Sequence, residues 1–206
     1  MEDGQQERFA PLLALAQQAG STIYEVSAAV LEAVSQVKTP QGIAAVCGLP
    51  KSCPLERQGQ KLLLMENVQD PGNVGTMLRT AEAAGFSGAL LSPACADVFA
   101  PKTVRATMGS VYRMPVWRGE LAGALSALKE RGFSVVSTEL GGEDFFAALP
   151  GLKAPLALVI GSEGNGVTPA VRALSTHRLA LPMAGHVESM NAAVAAGILM
   201  YSIGHR

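Results

Sequence analysis

Net charge, paired cysteines and long apolar runs are what this 206-residue chain has least of, and each scarcity removes a class of function. Lys and Arg total 16 against 17 Asp and Glu, a net charge of −1, so no global positive field advertises a nucleic-acid partner. Any such binding must come from a local patch or from two subunits combining theirs. The three cysteines, Cys47, Cys53 and Cys95, have neither CxxC spacing nor a neighbouring His. That pattern points to no metal and no disulfide framework, and fits a reducing, cytoplasmic compartment. The N-terminus is polar and acidic before its short apolar stretch, without the basic start and long apolar core of a signal peptide. Gly, Pro or charge interrupts every apolar segment well short of the ~20 residues of a membrane span. There is no GxxxxGK[ST], no internal repeat and no low-complexity tract.

What is present is apolar and regular. With 49% hydrophobic and 16% charged residues, the chain suits one sizeable α/β domain plus a small appendage. Residues 8–20 and 27–35 read as helices, the second with Ser27 as N-cap, and Gly42–Cys47 reads as a short buried strand. Gly48–Gly59, rich in Pro, Gly and charge, is the expected linker, with a boundary near residue 55. Beyond Lys61, strand patterns at 62–65, 88–92, 112–117, 133–138, 156–161 and 178–182 alternate with helical ones at 74–84, 101–108, 120–131 and 189–203. Such alternation predicts a mostly parallel sheet with helices on both faces, whose ligands sit at the carboxyl ends of the strands.

Three polar loops begin at such ends. In Asn67–Arg79 (NVQDPGNVGTMLR), Asp70-Pro71-Gly72 signals a turn and Asn73 is placed to cap the following helix, while Arg79 lies six residues on. A helix N-terminus aimed at a site attracts an anion, so substrate phosphate fits beside Asn73 and Arg79; a plain turn and cap is the bland alternative. In Ile160–Val167 (IGSEGNGV), the glycine spacing is GxxGxG rather than the GxGxxG that wraps a pyrophosphate, and Glu163 would repel an anion. A cationic adenosyl cofactor such as S-adenosyl-L-methionine suits this turn better, against the alternative of a connection whose Glu is merely solvated. In Leu181–Asn191 (LPMAGHVESMN), Ser189 is placed to cap a long helix of small residues, and Asn191 is the odd residue in its first turn. His186 reads as a solvated bystander and stays outside the catalytic set.

Taken in order, NVQDPGNVGTMLRTA, LVIGSEGNGV and LPMAGHVESMNAAVAAGI resemble the motifs of SpoU-type (TrmH-like) RNA 2′-O-ribose methyltransferases of the SPOUT superfamily, across residues 61–206. Residues 8–47, with TPQGIAAV as closing strand, resemble the last part of the small RNA-binding domain that relatives carry, so residues 1–55 are expected to be a partial substrate-binding domain and linker and 56–206 the methyltransferase domain. The first half of that small domain is absent, which implies either a piece of a longer chain or reduced RNA docking. The resemblance implies a C-terminal deep trefoil knot, a methyl donor held by Gly161, Leu181 and Met190, and a homodimer whose pocket draws on both chains. Met190 stands where Leu is usual, a change of similar volume.

Methyl transfer from S-adenosyl-L-methionine to a ribose 2′-hydroxyl of rRNA or tRNA needs positioning and deprotonation. The resemblance assigns the catalytic set to Asn73, Arg79, Glu163, Ser189 and Asn191: Arg79 contacts the target phosphate and acts on the hydroxyl, Asn73 holds Arg79 or the ribose, and the other three orient them. Arginine, with a reference pKa of ~12.5 or more, is a poor base and better suited to stabilising the alkoxide. Lys102 and Arg105 are candidate phosphate contacts, though each alone reads as a solvated face. Two other classes compete: an RNA-binding protein with the same knot and no catalysis, which the five intact residues argue against, and a nicotinamide-dependent dehydrogenase, which the glycine spacing argues against.

Overall fold

The apolar runs beyond residue 60 become the strands of one six-stranded sheet in which every neighbouring pair is parallel, in the order β3-β2-β1-β5-β4-β6. The computed structural model describes residues 1–35, 37, 39–50, 59–185, 187 and 189–205. The chain divides into two compact units, Met1–Leu49 and Pro50–Arg206. Most of the expected linker, its boundary near residue 55, Cys53 and His186 lie outside the described residues.

In the first unit, α1 (Gln6–Gln18) and α2 (Ala28–Val34) match the expected helices, and the Ser27 side chain accepts from Val30 N–H as a cap. Gly42–Cys47 is not a strand. Glu2 N–H donates to Gly42 C=O at 2.8 Å, but no described strand runs beside the segment to pair with it, and Val46 is fully exposed. The pairing that does form is an isolated parallel bridge between Glu2 and Val26.

The second unit runs β1 (Lys61–Met65), α3 (Pro71–Ala83), β2 (Gly88–Leu91), α4 (Pro101–Thr107), a 3-10 turn (Ser110–Tyr112), β3 (Val116–Arg118), α5 (Leu121–Glu130), β4 (Ser134–Asp144), α6 (Phe145–Ala148), β5 (Leu156–Ile160), α7 (Pro169–Leu174), β6 (His177–Ala180) and α8 (Ala192–Gly204). Alternate strand residues point to opposite faces, and both faces are covered, so β5 is buried along its whole length. One face packs Leu63, Met65, Leu91 and Leu158 against Met77 and Leu78 of α3 and Leu199 and Met200 of α8. The other packs Leu62, Leu64, Val135 and Val159 against Leu125 and Leu128 of α5 and Val171 of α7.

Four details depart from expectation. The segment 112–117 is a strand only from Val116, because a 3-10 turn takes up Ser110–Tyr112 and Arg113 holds Glu82 of α3 in a two-pronged ion pair at 2.6 and 2.8 Å. β4 continues to Asp144 through a bulge between Thr138 and Glu143, and a Cβ on Gly142 would stand 2.7 Å from Arg178 C=O, so only glycine passes β6 there. The cap of α3 is Asp70, whose Oδ1 accepts from Asn73 N–H at 2.7 Å, with Pro71 in the first helical position that proline favours. The cap of α8 is Asn191, whose Oδ1 accepts from Ala193 and Val194 N–H, so neither Asn73 nor Ser189 caps its helix.

The helices on the α3 face approach closely because small residues meet. A Cβ on Gly75 would stand 2.8 Å from Thr103 C=O of α4. On α8, Ala192, Ala193 and Ala196 are buried, which seats its first turns close on the sheet and puts Asn191 next to the start of α3.

Candidate active site

Freed from capping by Asp70, the side chain of Asn73 is available to bridge two other segments. Its Nδ2 donates to Glu163 Oε1 at 2.6 Å, and its Oδ1 accepts from Asn191 Nδ2 at 3.1 Å. Residues 90 and 118 positions apart are joined this way, so the start of α3, the glycine loop after β5 and the cap of α8 form one hydrogen-bonded link. The contacts fix the Asn73 amide, since only its oxygen can accept and only its nitrogen can donate. A carboxylate as acceptor makes the Asn73–Glu163 bond the stronger of the two.

The glycine loop itself is a tight turn. Ser162 and Gly166 exchange backbone hydrogen bonds at 3.1 and 2.9 Å, and Asn165 N–H donates to Ser162 Oγ. A Cβ on Gly161 would run into the carbonyl of Gly166, which is why this buried position carries no side chain. Gly166 has φ +64°, a conformation natural to glycine. At the exit of the loop, the buried carboxylate of Glu66 accepts from both the N–H and the hydroxyl of Thr168, each at 2.8 Å, and Thr168 caps α7.

Behind the link lies a cavity of about 320 Å³, at the carboxyl ends of β5 and β6 and beside the bulge of β4. Gly161, Leu181 and Met190, the expected cofactor residues, all line it, together with Glu163 and Ser189. Ile160, Leu179, Met183 and Leu199 give it an apolar wall. That combination of close backbone and apolar side chains fits a flat heterocycle such as adenine, and its size is within the range of small-molecule sites. The Glu139 carboxylate also faces it, gripped by Arg172 at 2.7 Å and Arg178 at 3.6 Å. Sequence reading passed over Glu66, Glu139 and Arg172; a carboxylate directly after an apolar run was an available signal at Glu66, while Glu139, which follows Ser137 and Thr138, carried none.

Arg79 is not brought into this group. It is exposed on α3 and has no hydrogen-bond or ion-pair partner among the described residues. Six positions along a helix turn it by roughly 240° and carry it ~9 Å from Asn73, so Asn73 grips Glu163 instead of Arg79. Lys102 and Arg105 are likewise exposed on α4. Among the described residues no cluster of His, Cys, Asp or Glu could hold a metal, and no helix is long and apolar enough to cross a membrane.

Comparison with known proteins agrees with this geometry. The SpoU rRNA Methylase family model matches residues 60–201, and a model for RNA 2′-O ribose methyltransferase substrate binding matches residues 1–52. The chain is 40% identical over 184 residues to the 23S rRNA (guanosine(2553)-2′-O)-methyltransferase RlmP of Bacillus subtilis (strain 168), spanning 89% of this chain and 73% of that one. It is also 40% identical to YacO of the same organism, but spans only 57% of its length. Among solved structures, the AdoMet-bound rRNA methyltransferase from Sinorhizobium meliloti superposes with a TM-score of 0.83 at 30% identity, covering 98% of this chain and 77% of that one. The SpoU methyltransferase AviRb from Streptomyces viridochromogenes, in complex with AdoMet, gives 0.81 at 27% identity over 98% and 79%. With its motif loops gathered at one end of a parallel sheet and the family model matching most of its length, the chain belongs to the SpoU rRNA methylase family.

Proposed function

We propose that this protein transfers a methyl group from S-adenosyl-L-methionine to a ribose 2′-hydroxyl in ribosomal or transfer RNA. The observation that carries the reading is the link of Glu163, Asn73 and Asn191 at the cavity lined by Gly161, Leu181 and Met190. It puts hydrogen-bonding groups of all three motif loops beside a pocket suited to an adenosyl group. Gly161, Leu181 and Met190 hold the donor, which supplies an electrophilic methyl on a positively charged sulfur when bound.

Asn73 and Asn191 hold the Glu163 carboxylate in place, and Glu163 and Ser189 orient the ribose. Arg79 binds the target phosphate and stabilises the developing alkoxide electrostatically, the proton passing to phosphate or water. A homodimer reconciles an Arg79 that is exposed and without a partner among the described residues with this role, since a pocket that draws on two copies can take its arginine from a surface remote from its own cavity. The face for such a dimer is α8, where Val194, Ile198 and Tyr201 stand exposed at 55%, 37% and 46%, four and seven residues apart in one stripe. Residues 1–55 serve as the RNA-docking part and 56–206 as the catalytic domain, in the cytoplasm. The crossing of the chain from β6, at the sheet edge, back to α8 over the centre supports a trefoil knot in this second part.

Calorimetry with S-adenosyl-L-methionine, followed by mapping of 2′-O-methyl groups on unmodified 23S rRNA and tRNA transcripts, tests the reading. Donor binding and a new 2′-O-methyl group are expected. Absence of donor binding favours a non-catalytic RNA-binding protein instead.

A further inference from the structure

The glycine loop also walls a second cavity, of about 540 Å³, whose other wall is Asn67, Gln69 and Ala94 from the segments after β1 and β2. Asn67 is held in a left-handed conformation, φ +57°, which asparagine tolerates better than most residues and which persists where the surroundings enforce it. The buried Ser92 is the enforcing group: its Oγ accepts from Asn67 N–H and donates to Asn67 Oδ1, both at 2.9 Å. That leaves the Asn67 Nδ2 with no partner among the described residues, aimed by a rigid mount. The side-chain amides of Gln69 and Asn165, in the same lining, are also without partners among the described residues.

Among the described residues the lining contains one carboxylate, Glu163, and no Lys, Arg or His, so it repels phosphate. Its free groups are neutral amides, a donor alone at Asn67 and a donor and an acceptor side by side at Gln69 and Asn165, which together complement a nucleobase edge. Glu163 and Ser162 line both cavities. A ribose whose 2′-hydroxyl meets the donor's methyl at Glu163 carries its base one bond from the adjacent carbon, so the base belongs in whatever space adjoins the donor pocket across the shared loop.

We propose that this second cavity is the subsite for the nucleobase of the methylated nucleotide, whose edge is read by Asn67, Gln69 and Asn165. The proposal rests on the methyltransferase reading above.

The test uses Asn67→Asp and Gln69→Glu, which keep side-chain shape and replace the donor by an acceptor at positions that line only the second cavity. Donor affinity is measured by calorimetry, thermal melting checks the fold, and methyl transfer to unmodified 23S rRNA and tRNA transcripts is followed with mapping of the modified position. Expected are an unchanged melting temperature and donor Kd, a KM for RNA raised at least about tenfold, and methylation that spreads to nucleotides bearing other bases. Unchanged KM and unchanged position overturn the proposal, and so does donor binding weakened in parallel, which would make the cavity part of the cofactor site. If the unaltered protein binds the donor and methylates neither RNA, the methyltransferase reading falls, and the subsite with it.

Discussion

Asn191 caps α8 with its Oδ1 and grips Asn73 with its Nδ2, so one side chain sets both the start of a helix and the position of a carboxylate two hydrogen bonds away. The two tasks separate by mutation. Asn191→Asp keeps a capping oxygen but sets a second oxygen against Asn73 Oδ1, whereas Asn191→Ala loses the cap as well. We expect Asn191→Asp to melt near the unaltered protein while methyl transfer falls sharply, and Asn191→Ala to lose about 1 kcal/mol of stability besides. Combining Asn73→Ala with Asn191→Asp should cost little beyond the worse single change, because both break one network. Additive losses in transfer assays would separate the two residues functionally.

Arg79 makes the opposite prediction. Exposed and unpartnered among the described residues, it contributes to stability within about ±0.5 kcal/mol, so Arg79→Ala should fold, melt and bind S-adenosyl-L-methionine as the unaltered protein does. Transfer should be abolished. Full activity on the same RNA transcript would remove Arg79 from the catalytic set, and light scattering of the variant would reveal any loss of dimer that mimics a catalytic defect.

The Glu66 carboxylate anchors the exit of the glycine loop by accepting from two groups of Thr168. Glu66→Gln keeps the size but presents an NH2 to one of two donors, leaving buried polar groups unsatisfied at a cost of about 1–3 kcal/mol. Urea unfolding should register that loss, and donor affinity should fall with it because the loop lining the cavity loses its mount. Thr168→Val should produce the same pair of effects. A variant that is destabilised yet binds the donor at full strength would show that the anchor serves α7 alone.

Away from the site, Glu82 is held below the ordinary carboxylate value of 4.5, first by its hydrogen bond from Arg113 and also by one from Ser110. A lowered folded-state value means that its contribution to stability is whole above about pH 4.5 and is lost as pH falls through the lowered value. Glu82→Gln should therefore melt slightly below the unaltered protein at pH 7, and the difference should vanish in acid. A pH-independent gap would assign the loss to packing of the 3-10 turn.

How much of this was legible in the sequence differs by residue. β1, β2 and β5 announce themselves because apolar strands buried on both faces read as short apolar runs, whereas β6, an edge strand that buries only Leu179, shows through the run RLALP. The second half of β4, ELGGED, is polar and was invisible; it is a strand because a bulge and Gly142 let it follow β6. α7 buries only Val171 and leaves no periodic trace. Gly161, Leu181 and Met190 were recoverable from motif order and converge on one cavity. The pairing of Asn73 with Glu163 was not, since local rules made Asn73 a cap and only tertiary structure shows that Asp70 has taken that task.

Two glycines three residues apart test whether the loop's shape or its mere flexibility matters. At Gly161 a Cβ would collide with the Gly166 carbonyl, whereas at Gly164 it would meet nothing within 4 Å. Gly161→Ala must therefore push the loop open, separating the Ser162–Gly166 pair and moving Glu163 away from Asn73, while Gly164→Ala keeps every contact and removes only unfolded-chain freedom. Donor Kd measured by calorimetry should rise more than about tenfold in Gly161→Ala, the equivalent of ~1.4 kcal/mol, and stay within twofold in Gly164→Ala. Equal losses in both would show that flexibility of the loop, and not the close fit of Gly161 against Gly166, is what donor binding requires.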